Sequence, residues 1–363
     1  MKRKNLIAKK LVKSKNLLIK NIKILNFYKK FKSTIFKIVK NESFAVAISG
    51  GSDSLCLAYL GKVYSAEFNS KMHAVIVDHN LRKNSKKESL KVSKILKNKG
   101  IKNKILRWKG EVPKSNIQKN ARIIRYSLIA NYCKNNKIKY LLTGHHLDDQ
   151  IENFFIRLFR GSGLTGLSSM SSVTNYANNL KVVRPLLSLR KSDLKYITKN
   201  YFRTYIEDPS NKNEKFLRVR VRKYRKNMEM EGLNTDKILK TINNLLSANN
   251  AINFYKNKAL YKHVSFLSEN NCLISKQIFS EEAGEVVYKC FSDTLSLVSG
   301  TYYPPRSKKI SYLIQRIKKA QYTKSTLGGC IIEKRGGDII ISKEAKFRKI
   351  GTIKRRNNDF LKI

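Results

Sequence analysis

Acidic residues are scarce in this 363-residue chain: 25 Asp and Glu stand against 76 Lys and Arg, leaving a formal net charge of +51. That imbalance makes a polyanion the first partner to consider. Lysine is accompanied by abundant asparagine and isoleucine, as an AT-rich coding sequence produces, so charge alone does not assign a nucleic-acid partner. Long apolar runs are also missing. None approaches the roughly 18 residues of a membrane span, and a hydrophobic content of 41% instead fits a globular chain of two or three domains. Cysteine is sparse and scattered: Cys56, Cys133, Cys272, Cys290 and Cys330 form no Cys-x-x-Cys pair. This excludes zinc-ribbon and iron–sulfur spacing and any disulfide framework, and it fits a reducing, cytoplasmic setting. The Lys-rich first 40 residues lack the unbroken apolar stretch of a signal peptide, and Arg3 alone argues against a mitochondrial presequence. They read as an amphipathic basic helix leading into the first strand.

What is present begins with the apolar run Phe44-Ala45-Val46-Ala47-Ile48, followed by Ser49-Gly50-Gly51-Ser52-Asp53-Ser54. The pattern predicts a buried parallel strand, a glycine-rich turn and a helix from about Ser54 to Phe68. Such a turn aims backbone N–H groups and a helix N-terminus at one point, which is an anion site. No Gly-Lys-Ser/Thr follows, so it is not a Walker A loop. The loop resembles the PP-loop of ATP pyrophosphatases, which cleave ATP between its α- and β-phosphates. That resemblance implies a cradle for leaving pyrophosphate and adenylation of a substrate.

Strand and helix patterns then alternate. Ala74–Val77, Lys104–Trp108 and Tyr140–Thr143 read as strands; Ser85–Lys99, Ile117–Asn135 and Leu147–Arg160 read as helices. The order predicts an α/β fold with a doubly wound parallel sheet, whose ligands sit beyond the carboxyl ends of the strands. Ser49–Ser54, Asp78-His79 and Gly144-His145-His146 all fall at such ends, so they converge on one crevice. Past Met228 the texture becomes helical to about Phe266, and then short β-like runs alternate with Gly328-Gly329 and Gly336-Gly337 turns. The expected division is a basic extension (1–40), the ATP-binding domain that the PP-loop resemblance implies (41–227), a helical region (228–267) and a small α+β C-terminal region (268–363).

The segment Gly144-His145-His146-Leu147-Asp148-Asp149-Gln150-Ile151-Glu152-Asn153 carries the second signal. Leu147, Ile151, Phe154, Phe155 and Leu158 form an apolar stripe, while Asp148 and Glu152 share a face at i, i+4 spacing. Acids favour a helix N-terminus, but three acids and two histidines exceed what capping requires. A cationic substrate or Mg²⁺ is the natural occupant. Arginine clusters at Arg184 and Arg190 and again at Arg218, Arg220 and Arg222. The last three would share one face of a strand, and guanidinium forks suit phosphate.

An ordered set of segments resembles the tRNA(Ile)-lysidine synthase family. It comprises Ser49–Ser54, Val77-Asp78-His79-Asn80-Leu81-Arg82, Ala121-Arg122-Ile123-Ile124-Arg125-Tyr126, Gly144–Asn153 and Arg160–Leu167. Arg184-Pro185-Leu186-Leu187, Glu207-Asp208-Pro209-Ser210-Asn211 and Leu217-Arg218-Val219-Arg220-Val221-Arg222 complete the series. Val219 departs from the Asn of many members, which bears on the arginine segment and not on the chemistry. Thr326–Cys330 has a thinner likeness to the family's C-terminal region.

The resemblance implies that ATP adenylates O2 of the wobble cytidine in a CAU-anticodon isoleucine tRNA. Free L-lysine then attacks C2 and expels AMP, changing codon reading from AUG to AUA. Ser49, Gly50, Gly51, Ser52, Asp53, Ser54, Val77, Asp78 and Gly144 would bind ATP, with Asp53 reaching Mg²⁺ or positioning a reacting group. Arg122 and Arg125 would meet charge developing on the triphosphate. His146, Asp148, Asp149 and Glu152 would hold the lysine, and one carboxylate would take its proton, since only a neutral amine is nucleophilic. Asp53, Arg122, Arg125, His146 and Asp149 form the expected catalytic set; Arg184, Arg190, Arg218, Arg220 and Arg222 would bind tRNA. The resemblance is compatible with a monomer or a homodimer. A tRNA-thiolating relative would need a cysteine pair or an iron–sulfur site. A non-catalytic RNA-binding protein would leave the acid cluster unexplained.

Overall fold

The computed structural model describes residues 21–80, 84–110, 117–168, 170–176, 180–207, 214, 217–301, 304–319 and 321–345. Asp208-Pro209-Ser210-Asn211, Leu81-Arg82 and the first twenty residues of the expected extension lie outside them. The chain forms two compact units, dividing between Ile242 and Asn243.

The first unit opens with α1 (Ile22–Val39), capped by the Asn21 side chain, which accepts from the Lys23 and Ile24 amides. Ile24, Tyr28, Phe31, Ile35 and Val39 recur at helical spacing and are all buried. Each contributes about 2 kcal/mol of apolar burial, so residues 22–39 are built into the core and not appended to it. β1 (Phe44–Ile48), α2 (Ser52–Glu67), β2 (Met72–Asp78), α3 (Ser85–Lys97), β3 (Asn103–Arg107), α4 (Ile117–Asn135) and β4 (Tyr140–Leu142) follow in the expected alternation. Next come α5 (Leu147–Leu158), α6 (Leu164–Leu167), β5 (Val173–Tyr176), β6 (Leu180–Val183), α7 (Lys191–Phe202) and α8 (Leu217–Met230).

The sheet order is β3-β2-β1-β4-β6-β5, parallel except for the β5–β6 pair. β1 lies between β2 and β4, with Phe44 opposite both Met72 and Tyr140. The strand order therefore reverses at the β1–β4 junction, the switch point at which such sheets bind ligands. β1 alternates as a two-sided buried strand does. Phe44, Val46 and Ile48 join α1, α2 and α7 on one face, while Ala45 joins Tyr126, Ile129 and Cys133 of α4 on the other.

Two expectations are corrected. Residues 218–222 are not a strand but part of α8, where Val221 is buried. The Val/Arg alternation mimicked a period of two, but helical spacing separates Arg220 from Arg218 and Arg222. Leu158 leaves the buried stripe and is 46% exposed. α5 stops there, and Gly161, at φ +64°, turns the chain. Leu147, Ile151, Phe154 and Phe155 are buried as expected.

The helix α9 (Thr235–His263) runs into the second unit. That unit contains β7 (Val264–Ser268), β8 (Asn271–Ile274), α10 (Ile278–Glu281), α11 (Gly284–Ser299), α12 (Ser307–Ile317), β9 (Lys324–Leu327), β10 (Cys330–Arg335) and β11 (Asp338–Lys343). Its sheet is antiparallel, in the order β7-β8-β11-β10-β9. Gly328-Gly329 and Gly336-Gly337 turn its hairpins at positive φ. Cys272, Ile274, Ile332, Ile339 and Ile341 share a core with Phe291, Leu295, Ile310 and Leu313.

Candidate active site

The loop after β1 is held by one hydroxyl. Ser54 Oγ accepts from the amides of Ser49 and Gly50, each at 3.1 Å, and donates to Gly51 O at 3.0 Å. Gly50 takes φ +88°, and a Cβ there would meet Val92 Cγ2 at 2.4 Å. Both facts require glycine. Ile206 N–H donates to Gly50 O at 2.9 Å, and Thr198 of α7 donates to Ser52 O at 2.7 Å, fastening the loop from its far side. Gly144, at the end of β4, lies so close that a Cβ would come within 3.2 to 3.3 Å of backbone atoms of Asp53 and Ser54. Of the three strand ends expected to converge, those of β1 and β4 lie against each other.

Asp53 stands in the first turn of α2 and faces Lys191 and His146. Lys191 Nζ lies 2.6 Å from its Oδ1 and 2.5 Å from its Oδ2. His146 Nε2 lies 3.7 Å from Asp53 Oδ2 and 3.4 Å from Asp149 Oδ2. The buried His146 ring therefore sits between the carboxylate of the glycine-rich turn and the acid helix. The His146 backbone N–H donates to Asp149 Oδ2 at 3.1 Å, which caps α5.

The other two acids already have protein partners. Arg225 Nη1 meets Asp148 Oδ1 at 2.7 Å, and the Lys191 amide donates to Asp148 Oδ2 at 2.8 Å. Burial raises the Asp148 pKa, but these two partners outweigh it and hold the carboxyl below its ordinary value. Arg222 forks onto Glu152 through Nε at 2.6 Å and Nη2 at 3.1 Å. Glu152 is buried, whereas Arg222 keeps 45% of its side chain exposed. Bidentate geometry of this kind is the strong form of the pair, and it raises the Arg222 pKa further.

His145 hydrogen-bonds Thr143 Oγ1 at 2.9 Å. Burial lowers its pKa to about 4; Asp149 opposes that, while Arg184, Arg122 and Arg218 add to it. Three arginines from separate segments thus place their field on one histidine. His79 is likewise lowered to about 4, by burial and then by Arg125, whose Nε lies 3.3 Å from His79 Nε2. Arg122 packs on the Tyr126 ring, 5.0 Å from its centroid. Asp78 is buried, accepting from the Asn80 amide and lying 3.5 Å from Arg107 Nε.

The expected tRNA arginines are more dispersed. Arg184 donates to Ser171 O and Thr174 Oγ1, at 2.7 and 2.8 Å. Arg190 lies 4.0 Å from Asp236, and Arg220 donates to Glu214 O. The sequence reading passed over Lys191 and Arg225. The signal for Lys191 was its place directly after Arg190, at the start of a helix. Arg225 is one helical turn beyond Arg222, a spacing hidden by reading the segment as a strand.

A PP-loop domain family model matches residues 19–227. The tRNA(Ile)-lysidine synthase of Orientia tsutsugamushi is 36% identical over 316 residues, covering 84% of this chain and 70% of that relative. The chain belongs to the tRNA(Ile)-lysidine synthase family. The family's enzyme from Wolbachia pipientis is 34% identical over 308 residues, covering 84% of this chain and 71% of that one. Among solved structures, the U34-tRNA thiolase NcsA of Methanococcus maripaludis, determined with its [4Fe-4S] cluster, superposes with a TM-score of 0.53. It is 22% identical, over 62% of this chain and 79% of that one, a likeness of fold. Lysidine synthases are ATP-dependent ligases. All five cysteines are buried, and burial pushes the thiols of Cys133, Cys272, Cys290 and Cys330 up to about 12. No helix among the described residues is long and apolar enough to cross a membrane.

Proposed function

We propose that this crevice adenylates the wobble cytidine of a CAU-anticodon isoleucine tRNA and then joins free L-lysine to its C2. The observation that carries the reading is the continuous line Asp53–His146–Asp149, which links an anion loop to an acid helix. A nucleotide phosphate chain and a substrate ammonium need opposite surroundings within reach of one reacting base. The two sides of this crevice supply them.

In this reading the amides of the Ser49–Ser54 turn and the α2 N-terminus receive the pyrophosphate. Arg122 and Arg125 on α4 meet the charge that builds up on the triphosphate. His145, whose pKa burial lowers to about 4, is neutral at physiological pH and adds no positive charge to that of Arg184, Arg122 and Arg218. Asp149 holds the lysine amine and takes its proton, because Asp148 and Glu152 are each neutralised by an arginine of α8. Mg²⁺ typically binds through one or two carboxylates plus substrate phosphates. Asp53, on the loop, fits as such a carboxylate, and the ion would supply charge neutralisation on the phosphates. Arg184, Arg190, Arg218 and Arg220 are assigned to tRNA phosphate, with a cytoplasmic site of action.

The test is ATP-dependent incorporation of labelled L-lysine into unmodified isoleucine tRNA bearing a CAU anticodon. Labelling should vanish in a tRNA with uridine at the wobble position. Folded, ATP-binding protein that incorporates no lysine would overturn the substrate assignment.

A further inference from the structure

Lys191 pairs across the glycine-rich turn with Asp53. It is the first residue of α7, and its ammonium reaches across to both carboxylate oxygens of Asp53, on α2. Asp53 is 27% exposed and Lys191 38%, so the pair is open to solvent, and an ion pair of this exposure contributes little to stability. Its backbone, by contrast, is fixed. The Lys191 amide is tied to Asp148, the Arg190 amide to Asp193 Oδ2 at 3.1 Å, and Thr198 of the same helix to Ser52 O. A rigid helix start therefore delivers a single flexible cation to the mouth of the glycine turn.

The charges explain why that matters. A carboxylate in the first turn of α2 repels any phosphate approaching the same N-terminus. The ammonium of Lys191 cancels that charge. It is a compact point charge on a four-carbon stem, able to change partner without moving backbone.

We propose that Lys191 is a nucleotide-binding residue: its ammonium leaves the Asp53 carboxylate and pairs with the phosphate chain when ATP binds, and with pyrophosphate before release. This rests on the reading of the Ser49–Ser54 turn as the phosphate site. The alternative is a fixed counter-ion whose only task is to neutralise Asp53.

Calorimetric titration of the full chain with inorganic pyrophosphate separates the two. Lys191→Met should bind pyrophosphate at least tenfold more weakly than wild type, and Lys191→Arg should recover most of that loss. Asp53→Asn sets the reference affinity in the absence of that carboxylate. The double variant Asp53→Asn/Lys191→Met decides the matter. Affinity well below that of Asp53→Asn alone supports direct phosphate contact. Affinity equal to that of Asp53→Asn overturns the proposal in favour of the counter-ion role, and so does wild-type affinity in Lys191→Met itself. Lys191→Gln takes the place of Lys191→Met if the latter fails to fold, as judged by its thermal melt. Absence of pyrophosphate binding by the wild type would instead refute the phosphate-loop reading, and the role of Lys191 with it.

Discussion

The ends of β1 and β4 lie side by side yet build their halves of the crevice by different means. After β1 the backbone does the work. Glycine at φ +88° and a serine hydroxyl shape a row of amides, and the side chains mainly hold that shape. After β4 the side chains are the site, and much of their charge is already spent on the protein itself. Arg222 and Arg225 of α8 take Glu152 and Asp148, leaving Asp149 beside His146. A backbone site is legible as a motif, because its residues are contiguous. A side-chain site is read correctly only when the distant partners that cancel its charges are known.

The sharpest way to break this comparison is at Asp53, where the two halves meet. Asp53→Ala should lower ATP–pyrophosphate exchange by on the order of 10²–10³-fold while leaving tRNA binding intact in a filter assay. Equal loss of both would mean that the carboxylate supports the fold and not the chemistry.

Within the acid helix the expected ranking is unequal. Asp149→Asn should raise the lysine KM by about tenfold or more, the worth of one charge-assisted hydrogen bond. Glu152→Gln should raise it less, because its carboxylate is held by Arg222. A larger effect at Glu152 would place the substrate ammonium against Glu152 and require Arg222 to give way.

The backbone half is tested by Gly50→Ala. Left-handed φ alone costs about 1–3 kcal/mol for a non-glycine residue, and Val92 would also have to move. Thermal melting should fall by about 2–4 °C per kcal/mol for a chain of this size, with nucleotide binding lost beyond that. An unchanged melt would show that the turn relaxes freely.

The smallest effect is that of pH on stability. His145 and His79 have folded pKa values of about 4 against an ordinary 6.5. Below 6.5 the unfolded chain takes up protons that the folded chain refuses, so stability falls as pH drops from 6.5 towards 4 and is flat above 6.5. Asp148, held low chiefly by the Lys191 amide and Arg225 against the opposing effect of burial, adds a loss only below its ordinary 3.8. Urea midpoints measured from about pH 7.5 to about pH 4.5 check the sign. No slope across that range would mean that both histidines titrate normally.

The sequence alone determined the α/β alternation, the glycine-rich turn after β1 and the acid segment. Each is written in contiguous residues whose local preferences agree with the fold: apolar runs for two-sided strands, glycine where φ turns positive, acids at a helix start. It misread residues 218–222, since a Val/Arg alternation satisfies a strand period over five residues and only the length of α8 reveals the helix. It could not decide which carboxylates are available to a ligand. That depended on helices 70 to 138 residues further along the chain: α7 brings Lys191 to Asp53, and α8 brings Arg222 and Arg225 to Glu152 and Asp148. Ion pairing is a matter of ångströms between side chains, and no local pattern encodes it.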